Sequence, residues 1–197
     1  MPKPTFKNYL SALKSINGIL AVIGVLIPAF SIFTNYSPPF FKGASLLTTA
    51  IAAIIIIVGF FYDPSPKKNT GLPHLVRLSL KIFVIFLALL IVYFVLFDLC
   101  TVETPDGAER FQIGFGKYDW GLTNKGLEIK AKFPDKTIQD WMMYGAWFRS
   151  GGPNVLWKTW TVYLSGIIII LVFVLTFVLW TFGWTLLAKQ KLINKNR

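Results

Sequence analysis

Four runs without a single charged residue, 16–33, 43–62, 82–97 and 159–188, dominate the pattern of this chain. Each approaches or exceeds the ~17–25 apolar residues with which a helix crosses a hydrocarbon core of about 30 Å. A helix satisfies its own backbone donors and acceptors, so such segments need no other cover in lipid. The pattern predicts an all-α membrane protein: a four-transmembrane-helix bundle with a small α+β extracytoplasmic cap between helices three and four. The expected segments are an interfacial amphipathic helix at 1–15, helices one to three within 16–99, the cap at 100–158, helix four at 159–188 and a basic cytoplasmic tail at 189–197.

Before the first run, Phe6, Tyr9, Leu10 and Leu13 recur at helical spacing, and Lys3, Lys7, Ser11 and Lys14 fall mostly on the remaining face. Thr5 is placed to cap this helix. The segment reads either as an amphipathic helix lying on the inner leaflet or as the first turns of helix one. Within the runs, Pro28 is the expected kink of helix one. Ser45, Thr49, Ala53 and Gly59 give helix two a small-residue face for close helix packing. Helix three is expected to start near Leu78, with Lys81 snorkelling to the inner surface. Helix four covers roughly 45 Å at 1.5 Å per residue, so it must tilt or continue beyond the hydrocarbon. Trp157, Trp160 and Tyr163 are the expected anchors at its outer interface, and Trp180 and Trp184 at its inner one.

The cap region has local signals of its own. Phe111, Ile113 and Phe115 alternate along a possible strand, with Gly114 and Gly116 on the other face allowing close backbone approach. Thr123 could cap a helix that ends at Pro134, although residues 127–133 also alternate. Thr137 and Asp140 resemble a capping box opening a helix within 136–149, which Gly151, Gly152 and Pro153 end. The rings of Trp120, Trp141, Tyr144 and Trp147 could form the core of the cap, lie on the outer leaflet or meet a partner; a segment of about sixty residues needs large side chains to fold at all, which favours the core.

Composition agrees with the spans: 54% of residues are hydrophobic and 15% charged, with 18 Phe and 7 Trp, where globular domains carry about 25% charge. Charge then fixes sidedness. The N-terminal segment, the second loop and the tail carry eleven cations against Asp63 alone, a net of +10. The other face carries nine cations against eight acids, a net of +1. Lysine and arginine excess in short loops marks the cytoplasmic side. Both termini are therefore placed in the cytoplasm and the cap outside, with a bacterial inner membrane as the expected home. The net charge of +11 is assigned to orientation and anionic lipid rather than to direct nucleic-acid binding. Lys67, Lys68, Arg77, Lys189 and Lys191 are the candidate contacts to lipid or to a cytoplasmic protein partner. The first run exceeds the core of a cleavable signal and lacks a small-residue cleavage site. The glycosylation sequon Asn35-Tyr36-Ser37 lies against the membrane, followed by Pro38, and is read as chance.

Reactive chemistry is sparse. Cys100 is the only cysteine; it reads as a small interfacial side chain or as half of an intermolecular bridge. His74 has no carboxylate or second histidine near it in sequence and reads as a solvated loop residue. None of the runs holds an ionisable group, which argues against pumps, proton-coupled transporters and voltage sensors. No phosphate-binding loop, dinucleotide fingerprint, zinc-protease or nucleophile-elbow motif is present. The cap acids Glu103, Asp106, Glu109 and Asp119 are interleaved with lysines and read as solvated charge. No enzyme activity, cofactor or metal is expected.

Four passes with inner termini and a large loop between helices three and four are similar to the tetraspanin plan, but the paired loop cysteines and Cys-Cys-Gly of that family are missing. The small size, four passes and lysine- and asparagine-rich ends also resemble membrane components of bacterial antiphage systems, such as the membrane sensor subunit of Kiwa. That resemblance lies in the overall plan and transfers no functional residue. It implies a homo-oligomeric sensor coupled to a cytoplasmic effector. The function expected is that of a non-enzymatic, oligomeric membrane sensor or scaffold; the alternative is a pore-forming effector or channel subunit, since a hydrophobic constriction can gate by dewetting.

Overall fold

A computed structural model of the chain describes residues 6–7, 11, 44–61, 74–103, 110–144 and 152–195. Most of these are helical, with one two-stranded sheet. In chain order come α1 (Ala44–Phe61), α2 (His74–Cys100), β1 (Thr101–Glu103), β2 (Arg110–Gln112), a 3-10 turn at Asp119–Gly121, α3 (Asn124–Lys132), α4 (Ile138–Tyr144), a second 3-10 turn at Gly152–Val155 and α5 (Thr159–Lys195). Two of these helices are long and apolar enough to cross a membrane: α2 over His74–Cys100, and α5 over Thr159–Lys191. The run 16–33 and Pro28 lie outside the described residues. So do Lys67 and Lys68, and Trp147 with the far end of the helix expected over 136–149.

Two differences from the sequence reading concern where helices begin and end. Helix α2 starts at His74 rather than near Leu78, so His74 and Arg77 are exposed residues of its first turn and not parts of a loop. Helix α5 runs on to Lys195, carrying Lys189 and Lys191 on the helix. Nothing in this stretch breaks it, because its last residues are good helix formers with no proline. The 37 residues of α5 extend roughly 55 Å at 1.5 Å per residue, more than a bilayer core needs.

The chain divides into two compact units, with α2 and α5 each contributing to both. In the unit that holds α1, the start of α2 and the end of α5, Leu75, Ile82 and Leu186 form a small buried cluster. Phe83 packs on Trp184 at 4.9 Å, Phe86 on Trp180 at 4.9 Å, and the Ser79 hydroxyl donates to the Gly183 carbonyl at 2.9 Å.

The other unit, residues 92–173, contains the sheet, α3, α4 and both turns. β1 and β2 pair antiparallel, with Thr101 opposite Gln112 and Glu103 opposite Arg110. Its core is Val102, Ile113, Leu122, Ile129, Trp141, Met142, Leu156, Trp157 and Val162. Local caps set the helices. The Thr123 side chain accepts from the Gly126 amide at 3.1 Å, which starts α3. Thr137 and Asp140 form the reciprocal capping box: the Asp140 amide donates to Thr137 Oγ1 at 3.1 Å and the Thr137 amide to Asp140 Oδ2 at 3.0 Å.

Candidate membrane-interface site

The strand alternation expected over 110–116 stops after Gln112, and the chain turns inward there. Ile113 is buried and its amide donates to the Cys100 carbonyl at 2.8 Å. Gly114 then presses against the head of α5: a Cβ on it would lie 2.6 Å from the Trp157 ring and 2.7 Å from Thr161 Oγ1. Gly116 takes a positive φ of 54°, which turns its carbonyl to accept the Trp157 indole N–H at 2.8 Å.

Trp157 is therefore a core residue. It was expected as an interface anchor, but it is wholly buried beneath this glycine-bearing segment. Trp141 is buried likewise, with its indole N–H donating to the Phe133 carbonyl at 2.9 Å and Lys117 over its ring. Trp160 and Tyr163 face outward. Trp180 and Trp184 are half-buried, in contact with Phe83 and with each other. Ala53 is exposed on α1, and Ser45, Thr49 and Gly59 lie on the same helix. Lys191 is exposed and Lys189 partly so.

Buried hydrogen bonds fasten this unit to the first turns of α5. Gln112 Nε2 donates to Ser165 Oγ at 2.7 Å, and the Ser165 hydroxyl donates to the Ile113 carbonyl at 2.6 Å. Both side chains are buried. Thr161 Oγ1 faces the Gly121 carbonyl at 3.3 Å, while Lys158 donates its amide to the same carbonyl at 2.9 Å. The Thr123 amide donates to the Leu156 carbonyl at 2.9 Å. Buried groups that lose such partners bear the full desolvation cost of about 1–3 kcal/mol each, so the set resists separation. Sequence reading missed the Gln112–Ser165 pair. A glutamine in an alternating strand reads as solvent-facing, and a lone serine in an apolar run reads as small packing.

Arg110 ties the hairpin to the end of α2. Its guanidinium reaches Glu103 at 2.7 Å, the Thr101 hydroxyl at 3.3 Å and Asp98 at 3.8 Å, and lies over the Phe97 ring at 4.9 Å. Cys100, at the same level, is buried. Among the described residues no cluster of histidine, cysteine or carboxylates is arranged to hold a metal.

The outer surface of this unit is aromatic. Trp120 sits on the Asp119–Gly121 turn, with Phe115 at 5.1 Å on one side and Trp160 at 5.7 Å on the other. Lys158 Nζ donates to the Trp120 carbonyl at 2.9 Å, and Lys130 holds Asp119 beside it. Around α5, Pro153, Asn154, Tyr163, Gly166, Ile167 and Ile170 line an open, mainly apolar groove of about 330 Å³. The exposed indoles of Trp120 and Trp160 and the ammonium group of Lys158 thus share one surface.

No protein-family model, curated protein or solved structure matches the chain.

Proposed function

We propose that the protein is a non-enzymatic, oligomeric integral membrane protein in which an outer cap, residues 100–158, passes an external event to a cytoplasmic partner through α5. Bacterial antiphage defence is the setting that the resemblance in overall plan favours. The observation that carries this reading is the set of buried bonds from Gln112, Ile113 and Gly121 to Ser165, Thr161 and Lys158. A cap fastened in this way cannot shift without moving the head of α5, and α5 ends in the basic residues Lys189 and Lys191. Lipid as the solvent is supported by the apolar stretches of α2 and α5, of which 22% and 28% are buried inside the molecule. A core helix of a soluble protein would be mostly covered.

The test uses the full chain with a tag on its tail. Native mass in detergent should give a multimer, and a soluble protein should co-isolate from native membranes with the wild type but not with the Lys189→Glu/Lys191→Glu variant. Ser165→Val should leave membrane insertion intact and alter the cross-linking pattern of the tail between copies. A strict monomer, or a partner retained by the charge-reversed tail, overturns the reading. Ion flux through liposomes containing the purified protein would transfer it to the pore class.

A further inference from the structure

We propose that Trp120 is a lipid-surface anchor of the cap, paired with Trp160, so that the cap rests on the outer leaflet instead of standing clear of it. This rests on the reading that α5 crosses lipid. The core of the cap has its indoles already: Trp141 and Trp157 are fully buried and both N–H groups are satisfied by carbonyls. Trp120 differs. It is 48% exposed, on a turn whose conformation is held by Lys158.

Depth is fixed by α5. Its second residue is Trp160, 53% exposed, and from there Tyr163, Leu164, Ile167, Leu171 and Leu175 present an exposed apolar flank down the helix. Indole rings at such a junction sit at headgroup depth. The ring of Trp120 lies 5.7 Å from that of Trp160. Headgroup layers are about 5–7 Å thick on each side of the hydrocarbon. At 5.7 Å from Trp160, the Trp120 ring lies within about one headgroup-layer thickness of it at any tilt of α5. Lys158, exposed and hydrogen-bonded to the Trp120 carbonyl, brings an ammonium to the same level, where lipid phosphates lie. The occupant of this surface is therefore the phospholipid headgroup layer, engaged through two indoles and one lysine.

The experiment labels the full-length protein with 5-fluorotryptophan in phosphatidylcholine–phosphatidylglycerol liposomes. Single Trp→Phe variants assign the fluorine resonances, and Overhauser contacts from fluorine to lipid headgroup protons, which report only direct neighbours, are then recorded. Trp120 and Trp160 should both show such contacts, while Trp141 and Trp157 show none. Contacts at Trp160 without contacts at Trp120 overturn the anchor and leave the membrane reading standing. Absence of contacts at all four overturns the anchor together with the membrane reading. Should Trp120→Phe perturb folding, Trp120→Tyr keeps a ring on the turn and assigns the same resonance.

Discussion

Gly114 leaves no room for a side chain where the cap meets the head of α5. Its neighbours on both flanks are fixed, Ile113 by its bond to the Cys100 carbonyl and Gly116 by accepting the Trp157 indole. A methyl group at Gly114 would meet the Trp157 ring and Thr161 Oγ1 inside contact distance. Neither can retreat, since Trp157 is buried and Thr161 belongs to the first turn of α5. Gly114→Ala is expected to cost about 1–3 kcal/mol, as overpacked cores do, read as a lower unfolding midpoint of intrinsic fluorescence in detergent. An unchanged midpoint would remove the close approach. A second residue gives a pH signature. The Thr137 hydroxyl, and then its amide, donate to the Asp140 carboxylate and hold its pKa below the ordinary value of 3.8. A depressed carboxyl stabilises the folded state above its unfolded pKa, and that contribution disappears as pH falls through the lower folded value. Stability of the wild-type cap should therefore fall with pH below 3.8 more steeply than that of Asp140→Asn, compared by denaturant titration across that range. Parallel curves would show that the capping box contributes nothing through charge.

At the scale of elements, local chemistry and packing were unequally legible. The caps of α3 and α4 could be read from Thr123 and from Thr137 with Asp140, because a cap is a bond between residues three apart. The fate of the tryptophans could not. Trp157 and Trp160 are three positions apart, yet one is buried and the other exposed, decided by a segment more than forty residues earlier that folds over only one of them. The end of α5 could be left open but not placed, for a related reason: charge marks where lipid stops, not where a helix stops. The contact of α2 with α5 allows a sharper prediction. Gly183 abuts the Phe83 ring, with 2.9 Å left for a Cβ, and its carbonyl accepts the Ser79 hydroxyl. In lipid, apolar side chains gain little by leaving solvent, so fit outweighs burial, and an interhelical hydrogen bond averages about 0.6 kcal/mol. Gly183→Leu, which forces the helices apart, is expected to cost about 1–3 kcal/mol and Ser79→Ala a fraction of that, compared by SDS titration of the purified protein. The reverse order would mean that the hydrogen bond, not the close approach, holds the pair.

For the whole molecule, the decisive question is which solvent surrounds its apolar flanks, and equal exposure in unequal solvents answers it. Ile91 on α2 is 65% exposed, Leu171 on α5 61% and Met143 on the cap helix α4 54%. By exposure alone the three are interchangeable, and in water an arginine at any of them should change stability by no more than about 0.5 kcal/mol. With lipid around α2 and α5, the equivalence breaks. Arginine near the centre of a spanning helix costs about 2.5–3.5 kcal/mol of insertion free energy, on the order of a hundredfold in the inserted fraction. Ile91→Arg and Leu171→Arg should thus shift the protein out of the alkali-resistant membrane fraction, while Met143→Arg leaves it there. Position along the helix adds a gradient, since an arginine at Tyr163, close to the expected headgroup level, can snorkel and should cost far less than one at Leu171. If all the variants partitioned alike, the exposed flanks would be facing water, and both the signalling role of α5 and the anchoring of Trp120 would lose their common premise.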